Sequence, residues 1–243
     1  MTPCPICSGQ TRLFDVVDFR ISYPESHHPY ELSGQPIYYV QCVNCAYLFA
    51  PEFQRWTDRD FAERIYNADY VKLDPDFLEA RPRNNAELLA ALFRSDAADI
   101  RHVDYGGGAG FLSRMLSERG WNSTNYDPFM TPEGMPSGRF DLVTAFEVFE
   151  HVVDIPRLIR DLTALLDEPG MLLFSTLLSD GRVTYGQRID WWYVTPISGH
   201  IAFHSRQSLA LLAARMGLQF GSFTENVHCF FRALPPWAAR IHG

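Results

Sequence analysis

The spacing of apolar residues changes period several times along the chain, and each change marks an element. Residues 13–18 and 37–41 carry β-branched and aromatic side chains bounded by Gly and Pro, which predicts two strands. Residues 43–50 are expected to run on as a further strand. From 51 to 95 the period becomes helical: Phe77, Leu78, Leu88, Leu89, Leu92 and Phe93 recur at helix spacing, interrupted at Pro82. After residue 99 strands and helices alternate. Residues 100–105, 122–126, 140–146 and 171–178 read as strands. Residues 111–119, 155–166 and 205–216 read as helices, with Asp154 as an N-cap, Pro156 in a first turn, and Gly120 and Gly217 as stops. Glu168-Pro169-Gly170 reads as a turn, and residues 218–223 and 227–232 as a final hairpin. The alternation predicts an α/β fold: a doubly wound, mostly parallel sheet with helices on both faces and a closing antiparallel hairpin. The expected division is a small module at 1–50, a helical connector at 51–98 and the α/β domain at 99–243.

The N-terminal module is defined by cysteines. Four of the five fall as Cys4-Pro-Ile-Cys7 and Cys42-Val-Asn-Cys45; Cys229 stands alone and reads as a buried thiol. Each C-x-x-C turn places two thiolates on one knuckle, and two knuckles complete a tetrahedral zinc site. A redox pair would sit at a strand-to-helix junction, and neither pair does. Four thiolates leave no open position, so the expected metal is structural zinc. His27 and His28 are the alternative ligands in this segment.

Charge and hydropathy narrow the function. Lys plus Arg is 21 against 29 Asp plus Glu, a net charge of −8. That balance argues against a protein built to grip nucleic acid, which needs clustered cations. No run approaches the roughly 18 apolar residues of a membrane helix, so no membrane partner is expected. The first residues carry neither the basic nor the apolar region of a secretory signal, which makes the expected compartment cytoplasmic. A homodimer is compatible with the composition.

The chemistry concentrates in Asp104-Tyr105-Gly106-Gly107-Gly108-Ala109-Gly110, between a predicted strand and helix. Such a loop lets backbone amides approach a ligand closely. A dinucleotide fingerprint needs a small residue where Phe111 stands, so the glycine spacing fits an NAD-dependent oxidoreductase poorly. Asp104 followed by Gly106, Gly108 and Gly110, then Asp127 after the second strand, then Glu147-Val148-Phe149-Glu150-His151, resembles the class I S-adenosylmethionine-dependent methyltransferases of the ubiquinone type. The resemblance covers residues 99 to about 230, including Pro169-Gly170 and the segment Gly199-His200-Ile201-Ala202-Phe203-His204-Ser205. It implies a Rossmann-like sheet and S-adenosylmethionine as cofactor. It implies a cofactor pocket of Asp104, Gly106, Gly108 and Gly110, with Asp127 on the ribose hydroxyls, and Phe146 is counted among the expected cofactor-binding residues. One departure stands out. Where that family has a third strand and an adenine-contacting acid, residues 128–139 are rich in Pro and Gly, which leaves Pro128 and Phe129 as candidates for apolar packing.

Methyl transfer needs alignment and, for a protonated nucleophile, a base. His151 and His200 are the candidate bases, with Glu147 lining the pocket; His204 is a further candidate. For His151 and Glu150 the competing reading is a hydrogen-bonded turn that supports the cofactor pocket. Asp190-Trp191-Trp192-Tyr193 either stacks on a planar ligand or covers the core. The implied partner is a small-molecule methyl acceptor. A zinc module ahead of this domain is similar to sugar C-methyltransferases, which suggests a sugar or natural-product acceptor. The alternative is an RNA methyltransferase that uses its zinc module to recognise substrate. A non-catalytic docking protein would keep the fold and show no turnover.

Overall fold

The structure is a computed structural model that describes residues 2–21, 23, 31–93, 96–131 and 133–238. The chain forms two compact units. One comprises residues 1–75, 149–158 and 176–212; the other comprises 76–148, 159–175 and 213–243. These units are set by packing and do not follow the linear divisions at 50 and 98.

The second unit is built on a six-stranded sheet of β4 (Arg101–Tyr105), β5 (Asn122–Tyr126), β6 (Phe140–Ala145), β7 (Leu166–Ser175), β9 (Gln219–Ser222) and β10 (Val227–Phe231). Its order is β5-β4-β6-β7-β10-β9. The first four strands are parallel, and β10 runs antiparallel to both β7 and β9. This is the expected parallel sheet with its closing hairpin. Among the described residues no strand lies between β5 and β6, so β5 is a sheet edge. Its sequence, Asn-Ser-Thr-Asn-Tyr, is mostly polar, as suits an edge in contact with water.

Side chains on successive strand residues alternate between faces. On one face Leu142, Met171, Leu173 and Cys229 pack with Ala86 and Leu89 of α3 (Ala80–Leu92), with Leu112 and Leu116 of α4 (Phe111–Ser117), and with Phe93, Ile100 and Trp121. Phe93 is wholly buried and meets Trp121 and Trp237 edge-on at ring separations of 6.2 and 5.2 Å. Cys229 is buried here, as expected.

The first unit holds an antiparallel sheet of β1 (Thr11–Asp18), β2 (Pro36–Cys42), β3 (Leu48–Phe49) and β8 (Ala202–Phe203), in the order β1-β2-β3-β8. The sheet of the cysteine module is therefore completed from far along the chain. Short helices α1 (Asp58–Arg64) and α2 (Tyr70–Leu73) follow it. Thr57 and Asp60 cap α1 reciprocally, each side chain bonding the other's backbone N–H. The chain passes from one unit to the other within α5 (Ile155–Leu165) and within α6 (Arg206–Arg215). Asp154 and Ser205 cap these helices by accepting from Arg157 and Ser208 N–H.

Four local expectations change. Residues 43–46 are a turn and not strand, because Ala46 N–H bonds back to Cys42 O, and only Leu48–Phe49 pair. Pro82 does not interrupt a helix. It occupies the third position of α3, where its missing N–H costs no intrahelical bond. The Glu168-Pro169-Gly170 turn is a register irregularity inside β7, between the pairings of Phe140 and Leu142. That strand stops at Ser175 and does not continue to 178.

Truncating Phe93 to Ala is expected to cost about 3–5 kcal/mol of stability, since the cavity it leaves sits against two indoles. Urea unfolding midpoints of the two proteins would measure it.

Candidate active site

The glycine loop lies at the carboxyl ends of β4 and β5, where open parallel sheets place their ligands. Its path is left-handed at Gly106, Gly108 and Gly110, with φ of +76°, +53° and +76°. A Cβ at Gly106 would stand 2.5 Å from Val148 Cγ2, and one at Gly107 would run into Asn125 Oδ1 and Asp104 Oδ2; at Gly108 it would meet nothing within 4 Å. The loop is thus closed below and open above, a backbone cradle that a side chain would obstruct.

What shapes the loop is β5. Tyr126 O accepts from Gly106 N–H at 2.8 Å. Asn125 Nδ2 donates to Gly108 O at 3.0 Å, and Asp127 Oδ2 accepts from Gly108 N–H at 3.0 Å. Asp127 Oδ1 also accepts from Phe129 and Met130 N–H, at 2.8 and 3.1 Å. A carboxylate offers about four acceptor sites, so Asp127 keeps room for a hydroxyl donor. Pro128 is half-buried, Phe129 is 54% exposed, and Phe146 packs against the core cluster. Asp104 is buried and accepts from Thr144 Oγ1 at 2.6 Å. Burial pushes its carboxyl up to about 7.

Glu147 follows β6 with φ of +54°, a left-handed backbone that is strained for a residue with a Cβ. Ser175, at the end of β7, holds it there: Glu147 N–H donates to Ser175 Oγ at 2.8 Å, and that hydroxyl donates to Glu147 Oε1 at 2.7 Å.

A second constellation lies in the first unit. Glu150 is wholly buried and accepts from Tyr193 OH at 2.5 Å. His151 Nδ1 and Tyr66 OH are hydrogen-bonded at 3.0 Å. His200 Nδ1 lies 2.9 Å from Tyr193 O; a carbonyl only accepts, so that nitrogen carries the proton and the lone pair is on Nε2. The two imidazoles meet edge to face, with centroids 4.9 Å apart. Gly199 makes this approach possible, because a Cβ there would stand 2.6 Å from His151 Nδ1 and 2.8 Å from Tyr66 OH. The ligand atoms of Glu150, His151 and His200 all lie within 4.8 Å of one another. His204 is separate: it is buried between Tyr47 and Phe149 as a core residue. Trp191 and Tyr193 are buried against Phe203, while Trp192 is 49% exposed, so the aromatic run is divided between covering the core and facing outward.

The cysteines converge as expected. Cys4–Cys45, Cys7–Cys42 and Cys7–Cys45 sulfur distances are 3.6, 3.5 and 3.6 Å. Zinc–sulfur bonds of about 2.3 Å give tetrahedral sulfur–sulfur edges of about 3.8 Å, whereas a disulfide needs about 2.05 Å. The two knuckles match: Ser8 N–H bonds Cys4 O and Ala46 N–H bonds Cys42 O, with φ of +58° at Ser8 and +55° at Ala46. Gly9 packs between them, where a Cβ would sit 3.2 Å from both the Cys7 and Cys42 sulfurs. A hydrogen bond from Cys45 holds the Cys4 thiol down to about 5, and the same bond together with burial pushes Cys45 up. The donor set and its spacing fit zinc. His27 and His28 lie outside the described residues.

Sequence reading did not find Asn125, Ser175 or Tyr66, and it named Tyr193 only within the aromatic run 190–193, not as the partner of Glu150. Asn125 comes into view only through the pairing of β5 with β4, where it is the register partner of Asp104; Tyr66 comes from a distant segment and carries no local signal.

The sheet order, its closing hairpin and the glycine loop after β4 together give the architecture of a methyltransferase domain. Residues 77–221, more than half of the chain, match the methyltransferase-domain family, and the chain belongs to it. It is 34% identical over 101 residues to the ubiquinone biosynthesis O-methyltransferase of Methylobacterium nodulans, a match covering 32% of this chain and 40% of that protein. It is 30% identical over 116 residues to the enzyme of the same description from Rhodopseudomonas palustris, covering 38% and 44%. The chain therefore spans less than half the length of these relatives. The solved structure of the mitomycin 7-O-methyltransferase MmcR shares the fold, with a TM-score of 0.50 at 16% identity over 75% of this chain and 62% of that one. Among the described residues no helix is long and apolar enough to cross a membrane.

Gly106→Ala is expected to lower stability by about 1–3 kcal/mol, from left-handed strain and the collision with Val148. Gly108→Ala is expected to carry the strain alone. Thermal unfolding of the two variants side by side would separate the contributions.

Proposed function

We propose that the chain transfers the methyl group of S-adenosylmethionine to a hydroxyl of a small-molecule acceptor, a sugar or natural-product intermediate. The observation that carries this reading is the donor loop: left-handed glycines pinned to β5 by Asn125 and Asp127, open above Gly108. When bound, S-adenosylmethionine supplies an electrophilic methyl group on a sulfonium. Gly106, Gly108 and Gly110 give the backbone surface, Asp127 receives the ribose hydroxyls, Asp104 supplies negative charge, and Pro128, Phe129 and Phe146 offer apolar surface. The oxygen acceptor is supported by the relatives named as O-methyltransferases. His151 takes the base role, with Tyr66 fixing its ring, and Glu147, locked by Ser175, lines the pocket.

The four cysteines hold structural zinc in this reading, and their sulfur spacing supports it. A second reading of His151 is favoured by one observation: with Glu150 and His200 it forms a carboxylate and two-imidazole set within 4.8 Å, suited to a divalent cation.

Calorimetric titration with S-adenosylmethionine and, in parallel, NADH is the direct test. Micromolar binding of the former alone is expected; binding of NADH alone would overturn the proposal. In turnover assays on phenolic and sugar hydroxyls, His151→Ala is expected to lower kcat by about 10²–10⁴ while leaving S-adenosylmethionine affinity unchanged.

Metal analysis of the purified protein is expected to find one zinc per chain, lost in Cys42→Ser together with stability of the N-terminal sheet. Activity abolished by EDTA while that zinc stays bound, and restored by Mg²⁺ or Mn²⁺, would replace the base reading of His151 with the cation reading.

A further inference from the structure

Beneath the donor loop, period-two alternation lines up polar side chains on the sheet face that otherwise packs on α3 and α4. His102 and Asp104 of β4 pair in register with Ser123 and Asn125 of β5 and with Leu142 and Thr144 of β6. His102 is wholly buried and stands edge-on to Trp121 at 6.0 Å. Its Nδ1 lies 2.8 Å from Ser123 Oγ and its Nε2 2.9 Å from Thr144 Oγ1, and Thr144 Oγ1 donates to Asp104 Oδ1 at 2.6 Å. An imidazole this deep in the sheet, joined by hydrogen bonds at both nitrogens, needs a reason.

The proton count along the chain supplies one. Thr144 has one hydroxyl proton. While it donates to ionised Asp104, its oxygen must accept from His102 Nε2–H. His102 Nδ1 is then an acceptor and takes the Ser123 proton. All three bonds point toward the carboxylate. When Asp104 is protonated, every bond reverses: Asp104 donates to Thr144, Thr144 to Nε2, and Nδ1–H to Ser123. One proton enters from solvent at Ser123, which is half-buried, one shifts at each link, and one arrives at Asp104; the imidazole stays neutral in both states.

We propose that His102 is a positioning residue for the donor loop, and that the chain Ser123–His102–Thr144–Asp104 is a two-polarity proton relay coupling donor binding to pH. Asp104 is placed to switch near neutrality. Burial raises its carboxyl to about 7, Thr144 partly opposes the rise, and Asp127, the charged group facing it from the turn after β5, adds to it. On its other sides are the uncharged Asn125 and Gly107. Burial holds His102 down at about 3, so the ring changes tautomer and not charge. The cationic donor favours the ionised carboxylate, so its binding strengthens as pH rises through 7. This part rests on the reading that S-adenosylmethionine lies on the glycine loop.

Imidazole ¹⁵N NMR of the full chain tests the relay without donor. The His102 signal is expected as the Nε2–H tautomer at pH 8.5 and as Nδ1–H at pH 5.5; one tautomer at both pH values in the folded protein overturns the proposal. Titration with S-adenosylmethionine across the same range tests the coupling. His102→Leu is expected to shift the midpoint up by about one pH unit, weakening binding about fivefold at pH 7 and about tenfold at pH 5.5, and His102→Gln, which keeps a donor toward Thr144, is expected to recover most of it. A His102→Leu profile superimposable on the native one overturns the positioning role, as does a loss of thermal stability with the midpoint unmoved. If S-adenosylmethionine binds at no pH, the donor reading and the coupling to it fall, while the tautomer measurement still decides the relay.

Discussion

A glycine loop has no side chains with which to hold itself, so the shape of this one is imposed by the strand beside it. Asp127 joins two stretches of backbone with one carboxylate, Gly108 on one side and Phe129 and Met130 on the other. Asn125 takes the Gly108 carbonyl, and Tyr126 takes the Gly106 amide. Without these bonds the left-handed glycines would sample many conformations, since Gly loses more freedom on ordering than any other residue. The same carboxylate organises the turn that stands where a further strand is expected, so the shortened segment after β5 is still anchored at its start.

The first unit solves a similar problem with sulfur and aromatic rings. Its sheet is small, and β3 and β8 contribute two residues each. Order comes from the paired knuckles and from buried rings: Tyr47 stacks on Phe49 at 4.9 Å, and Tyr39 bonds His200 O through its hydroxyl. Ser205 Oγ donates to Cys45 O, so the residue that caps α6 also supports the second knuckle. Histidines and cysteines that look like separate motifs in the sequence thus belong to one packed body.

Periodicity and turn chemistry made the parallel strands, the hairpin and the caps of α5 and α6 legible, because those features are local. The cysteine knuckles were legible for the same reason: two C-x-x-C turns are a local geometry used twice. What escaped depends on contacts across the chain. Pairing of β3 with β8 joins residues more than 150 positions apart, and nothing near Ala202 announces it. Tyr66 reaches His151 across 85 positions. Residues 43–46 misled because their apolar composition suits a strand, while the knuckle hydrogen bonds take the backbone first. His102 was visible as one residue of a strand, but its partners Ser123 and Thr144 come into view only once strand order is known.

The route of the chain has a consequence of its own. It crosses between the two compact units five times, after Pro75, Val148, Leu158, Ser175 and Leu212. Domains that are exchanged as cassettes in evolution or engineering join at one or two points. Here no single cut separates the two units, and the sheet of the cysteine module cannot be excised whole without taking β8, the partner strand of β3, from more than 150 positions away. The thiolate cluster therefore belongs to a unit whose parts are scattered along the chain, and transplanting it means transplanting three segments together.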